Sequence, residues 1–358
     1  VAPGGGEWFF PSATAPTRPP TPITDPKTAL LLPPPAPAYY AGASAGASAG
    51  VSANSSANSS ANSSANSSAN SYSASSSPSA GGRGGGGGGG GGGGNSCCCC
   101  GSGPLPEDPQ NLLLESDMSS LPRVVLYFHG GAYALCTSKS HRMILMRIVA
   151  ETGATVLCID YRRPPEHPYP AARDDCLEAY RWLLEEARVP ADRIVFAGDS
   201  AGGGLVLSVL GAVRDQGMPM PAGGVMWSPW VDLSDSFSGT WTSNQKTDFL
   251  PRDIAHSFAV GYAGTAHTLL EASPCSVDLD ATLPPLLIEC GDAECLHDQV
   301  VALVRRAEAV EGVDVEFHVS PGMVHVFPLF YPFCKADSEP VRAFGRMARF
   351  GDRVWGEL

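Results

Sequence analysis

The chain has 358 residues, 43% of them hydrophobic and 16% charged, and a formal net charge of −13. That length suits one large domain or two small ones, and the acidic balance argues against nucleic acid or an anionic membrane as a partner. No apolar run approaches the roughly 18 residues of a membrane span. Residues 1–103 carry only Glu7, Arg18, Asp25, Lys27 and Arg83, so the acidic excess lies in residues 104–358. There are 11 cysteines, four of them consecutive at Cys97 to Cys100. The others are scattered, several within apolar runs such as "TVLCIDY" and "LLIECGD". No C-x-x-C spacing occurs outside the four-cysteine run, so no zinc or redox motif is expected, and buried free thiols favour a reducing, cytoplasmic compartment.

Taken in chain order, residues 11–37 are proline-rich, residues 41–80 hold the repeat "SANSSANSSANSSAN", and a polyglycine tract leads into the cysteine run. Such composition cannot bury enough apolar surface to offset its ordering entropy, which predicts a mostly disordered region over 1–103. The Asn-Ser-Ser triplets fit plain low complexity better than glycosylation sites. Adjacent cysteine side chains do not converge on one metal without a tailored loop. The exception is "GEWFFP" at 6–11, which reads as a strand.

From Leu121 onward, apolar runs of strand length alternate with amphipathic helical segments. Strands are predicted at 123–129, 154–160, 193–198, 223–228, 284–290 and 313–319. Helices are predicted near 139–152, 171–187, 201–215, 297–311 and 336–350. Strands apolar on both faces and separated by helices predict an α/β fold with a doubly wound, mostly parallel sheet over 104–358. The segment 231–275 breaks this rhythm and is expected to form a partial lid over one edge of the sheet. Its neighbourhood holds Trp227, Trp230, Phe237, Trp241, Phe249 and Phe258, most of them expected in the core.

The chemistry begins at "FAGDSAGGG", where Ser200 sits between a strand and a helix. "GDSAG" fits the G-x-S-x-G nucleophile elbow. Small residues at Gly198 and Gly202 let a strained turn close and lift the hydroxyl above the sheet, over a helix N-terminus whose N–H groups face developing negative charge. A nucleophilic serine needs a base and an orienting acid, which follow it in chain order in such sheets. "SPGMVHVF" places His325 on a loop after the last predicted strand, a better position than His318 within a strand or His297 at a helix start. The acid should follow "PPLLIEC", where Asp292, Glu294 and Asp298 compete; Asp298 already belongs to the next helix. At "YFHGGAYAL", Gly130 and Gly131 can turn their N–H groups to an oxyanion, with the N–H of Ala201 as a third donor.

"YFHGGAY", "DYRRPPEHPYPAARDD", "GDSAGGGL" and "PGMVHVFP", in this order over roughly 121–350, resemble the hormone-sensitive-lipase-like esterases of the α/β-hydrolase fold. The resemblance implies Ser200 as nucleophile, His325 as base, and Gly130, Gly131 and Ala201 as the oxyanion hole. It makes Asp199, Glu166 and Asp174 supports of the site. It departs from the family pattern at Ala132, which replaces the last glycine of HGGG but keeps its N–H. It departs again at Glu294, which stands where the family has an Asp; on this ground Glu294 is favoured over Asp292. The visible N-terminus is not expected to supply the family's N-terminal lid helices; the low-complexity tract is expected as an insertion between the 6–11 strand and the HGG strand, which would make the chain begin inside the domain. The implied activity is that of a serine carboxylesterase on a small-molecule ester with a short or medium acyl chain, without metal or cofactor. An amidase or steryl-ester deacetylase would use the same triad. A ligand-binding relative would have lost a triad member, and a product with a truncated lid would fail to close its site. Nothing in the pattern specifies an oligomeric state.

Overall fold

The computed structural model describes residues 29–32, 118–234, 239–264 and 269–356. The strand expected at 6–11, the serine-rich repeat, the polyglycine tract, the four adjacent cysteines and Phe237 lie outside the described residues.

Seven strands form one sheet: β1 (Ala29–Leu32), β2 (Val124–Phe128), β3 (Thr155–Ile159), β4 (Ile194–Asp199), β5 (Gly223–Trp227), β6 (Leu286–Gly291) and β7 (Val315–Ser320). Their spatial order is β1-β3-β2-β4-β5-β6-β7. All six strands from β2 onward run parallel, and β1 pairs antiparallel with β3, Ala29 opposite Ile159. β1 corrects the expectation that residues 11–37 hold no ordered element. Its Ala-Leu-Leu-Leu run is long enough to pair at a sheet edge, and the prolines that follow it at 33–35 cannot continue a ladder.

Among the described residues, six helices longer than a single turn alternate with the strands: α1 (Arg142–Thr152), α2 (Ala171–Glu185), α3 (Ala201–Asp215), α4 (Arg252–Ala263), α5 (His297–Glu308) and α6 (Glu339–Trp355). α6 ends five residues beyond the span expected from sequence. Every residue of β2 through β6 is buried, because both faces of the sheet are covered. Alternate residues go to opposite layers. Leu126, Phe128 and Phe196 pack toward α2 and α3. Val125, Tyr127 and Trp227 pack toward α1 and α6. Each such aliphatic or aromatic side chain contributes about 1.5–3 kcal/mol by its burial.

The position of the site follows from this winding. After β2 the chain turns into α1 on one face, whereas after β4 it turns into α3 on the other. β2 and β4 are neighbours, so a crevice opens between their carboxyl ends, the place where open α/β sheets bind ligands. The irregular segment after β5 returns over this end as one helical turn (Thr240–Ser243) and α4, a helix the sequence pattern did not reveal. No helix among the described residues is long and apolar enough to cross a membrane.

Candidate active site

β4 ends at Asp199 and α3 begins at Ala201, so Ser200 occupies the joint. Its backbone is held at φ 52° and ψ −121°, a conformation that costs a non-glycine residue of order 1–3 kcal/mol. The turn is fixed from both sides. The Ser200 N–H donates to the Trp227 carbonyl at 2.8 Å, and the Ser200 carbonyl accepts from Gly204 at 3.0 Å and Trp230 at 2.9 Å. The glycines are sterically required: a Cβ on Gly198 would lie 2.5 Å from the Gly202 backbone, and one on Gly202 would collide with the Phe128 carbonyl.

His325 lies on the loop between β7 and α6, 4% exposed, with its Nε2 2.9 Å from Ser200 Oγ. Burial pushes its imidazole below the ordinary histidine range, partly opposed by the negative charges of Asp248 and Asp199. It is therefore neutral at pH 7 and able to accept a proton. Its Nδ1 is buried without a hydrogen-bond partner among the described residues.

Three acids were open from sequence, and the structure separates them. Asp292 is exposed and accepts from the Gly322 N–H at 2.6 Å. Asp298 lies in the first turn of α5 and accepts from the Thr240 N–H at 2.9 Å. Glu294 is completely buried; its Oε2 accepts from Ser228 Oγ at 2.6 Å and from the Gly291 N–H at 3.2 Å. Its Oε1 is the second buried polar atom here without a partner. Ser228 Oγ also accepts from the Val326 N–H at 3.0 Å, so one hydroxyl joins the Glu294 carboxyl to the peptide following His325. Burial raises the Glu294 carboxyl to about 8, against the stabilising bonds from Ser228 and Gly291. Glu294 and His325 shift in opposite directions for one reason, the cost of holding charge away from water.

The oxyanion side needs a correction. The Gly130 N–H donates to Asp199 Oδ1 at 3.0 Å, so it is not free to meet an oxyanion. Gly130 instead ties the turn after β2 to the residue preceding Ser200. Gly131 (φ 117°) and Ala132 (φ 53°) continue the turn, and neither N–H has a partner among the described residues. Ala201 opens α3, where the N–H groups have no intrahelical acceptor. Asp199 is itself buried and accepts from Tyr127 Oη at 2.8 Å and pairs with His141 Nε2 at 3.2 Å. Burial would raise its carboxyl, but His141, Tyr127 and Gly130 outweigh that and hold it below the usual range.

The remaining expectations divide. Asp174 is an exposed partner of Arg173, and Glu166 is exposed. The bracing of this region falls to Asp175, which holds the Arg162 guanidinium at 2.7 Å and the Arg162 N–H at 2.8 Å. Trp227, Trp230 and Trp241 are core residues; Phe249 is exposed, its ring 5.9 Å from His325. Sequence reasoning missed Ser228 and Asp248, since a serine after a strand or an aspartate in a loop carries no local signal.

Residues 125–329 match the family model described as the alpha/beta hydrolase fold. The acetyl-hydrolase of Streptomyces hygroscopicus is 41% identical over 228 residues, 63% of this chain and 75% of that protein. The carboxylesterase NlhH of Mycobacterium tuberculosis is 33% identical over 216 residues, 58% of this chain and 67% of that protein. Among solved structures, an esterase from the bacterial hormone-sensitive lipase family aligns with a TM-score of 0.61 at 39% identity, covering 66% of this chain and 78% of that one. By the family match and the structural similarity, the chain belongs to the hormone-sensitive-lipase-like esterases of the α/β-hydrolase fold.

Proposed function

We propose that the protein is a serine carboxylesterase acting through Ser200, His325 and Glu294. The observation that carries this reading is the 2.9 Å contact between His325 Nε2 and Ser200 Oγ in a buried elbow. As Ser200 Oγ attacks the ester carbonyl, its proton passes to His325 Nε2. The oxyanion forms against the N–H groups of Gly131, Ala132 and Ala201. His325 returns the proton to the departing alcohol, and water then cleaves the acyl-enzyme by the same route. Glu294 pairs through Oε1 with His325 Nδ1 and steadies the imidazolium, a pairing supported by two buried atoms that otherwise lack partners. Burying both groups makes this pairing the natural way to satisfy them.

The substrate is an ester with a short to medium acyl chain. Similarity to an acetyl-hydrolase favours the short end of that range. Hydrolysis of p-nitrophenyl acetate and butyrate by the purified full chain, beside Ser200→Ala, tests the reading. A loss of about 10⁴-fold or more in kcat in the variant is expected from nucleophile removal. A folded wild type without activity, or a Ser200→Ala variant at wild-type rate, would overturn it.

A further inference from the structure

We infer that Asp248 is a positioning residue whose carboxylate clamps the Glu294 loop to the His325 loop, and this rests on the triad reading above. Asp248 belongs to neither loop. It lies on the segment that returns over the sheet between the Thr240–Ser243 turn and α4. Its Oδ2 accepts the Cys295 N–H at 2.7 Å, next to the proposed acid. Its Oδ1 accepts the N–H of His325 itself at 3.1 Å, and that of Phe249 at 2.9 Å. One carboxylate thus joins the two loops at Cys295 and His325 themselves, beside the Ser228 hydroxyl and the contacts of Asp292 and Ala293 with Gly322 and Met323 farther back.

Neighbours on the same segment reinforce the clamp. Asn244 Nδ2 donates to the carbonyls of Asp292 at 3.0 Å and Glu294 at 2.9 Å, and Thr247 Oγ1 reaches the Ala293 carbonyl at 3.1 Å. Hydrogen bonds from backbone N–H groups to an ionised carboxylate are about twice as strong as neutral ones. The triad needs the acid and base placed to within a fraction of an ångström, and a misplacement of about 1 Å costs on the order of 10²-fold in rate. The clamp also sets the charge around the base. The groups facing His325 are Asp248 from this segment, Asp199 at the end of β4, and Glu294 across the Ser228 hydroxyl. Those facing Asp248 are His325, Glu294 and the Cys295 thiol. The Asp248 carboxylate favours the imidazolium, so its removal lets the His325 pKa fall further.

The test compares Asp248→Ala and Asp248→Asn in the full chain, with p-nitrophenyl acetate as probe and Asp253→Asn on α4 as a control for lost charge. Asp248→Ala is expected to lower kcat by about 10²-fold with KM changed less than about threefold. Asp248→Asn keeps an oxygen for one loop but presents an NH2 to the other, and should fall between. In both, the acid limb of kcat/KM moves to lower pH, while Asp253→Asn leaves kcat and limb as in wild type. If Asp248→Ala does not fold, Asp248→Asn alone decides by the same limb and the same kcat. Wild-type kcat in the Asp248 variants, a loss confined to KM, or an unmoved limb overturns the inference. Failure of the triad reading shows elsewhere, in Ser200→Ala.

Discussion

The two halves of the site are built in opposite ways. On the Ser200 side, position is written into the backbone: β4 runs straight into α3, and Gly198, Gly202 and three main-chain hydrogen bonds hold Ser200 in place. On the Glu294 and His325 side, two loops are set by side chains reaching in from elsewhere, Ser228 after β5 and Asn244, Thr247 and Asp248 beyond it. Damage to the first half should therefore appear in stability, and damage to the second in rate at unchanged stability.

The largest effect expected on the loop side comes from Glu294→Gln. An amide in place of the carboxylate offers the wrong hydrogen-bond pattern to His325 Nδ1 and should lower kcat by about 10⁴-fold. Thermal melting checks that the fold is intact; a rate near wild type would return the role to Asp292. On the elbow side, Gly202→Ala should destabilise by about 3 kcal/mol or more, since its methyl group meets the Phe128 carbonyl in a rigid strand. Denaturant unfolding reads this directly, and a wild-type midpoint would mean that the elbow can relax as the loops do.

The smallest effect is electrostatic. The Glu294 carboxyl is raised to about 8 in the folded chain, so the folded state holds a proton that the unfolded state releases near its ordinary value. The stability this supplies is complete below the unfolded pKa and is lost as pH rises through about 8, at no more than about 1.4 kcal/mol per pH unit. Wild type should thus lose stability relative to Glu294→Gln between about pH 5 and 8. His325 acts with the opposite sign, its pKa being lowered, but it is present in both proteins. Unfolding free energies measured across that range give the difference; a flat difference would mean that Glu294 stays ionised in its pocket.

The same contrast explains what the sequence reveals. β2 through β6 stand out because strands buried on both faces are continuous apolar runs, and Ser200 stands out because strand, small residues and helix are adjacent in the chain. His325 is found by its place after the last strand. Asp248 is invisible for the reason that makes it useful: its partners lie 47 and 77 residues away. The HGG motif points to the right turn, but only the fold shows that the Gly130 N–H is taken by Asp199. α4 follows Pro251 in a polar stretch whose apolar face emerges only against the core, and β1 is a four-residue run among prolines.

Asp199 and Ser200 are consecutive, yet the acid turns toward Tyr127 and His141 on the α1 side while the serine meets His325 above the sheet. At this end the Tyr127–His141 cluster on the α1 side and the Ser200–His325 contact are separated by a single peptide unit, and the Asp199 carboxylate also grips the turn after β2. The layers are consequently not interchangeable modules. Loss of His141, which immediately precedes α1, would leave the buried Asp199 carboxylate next to Ser200 with only Tyr127 and Gly130 as partners among the described residues.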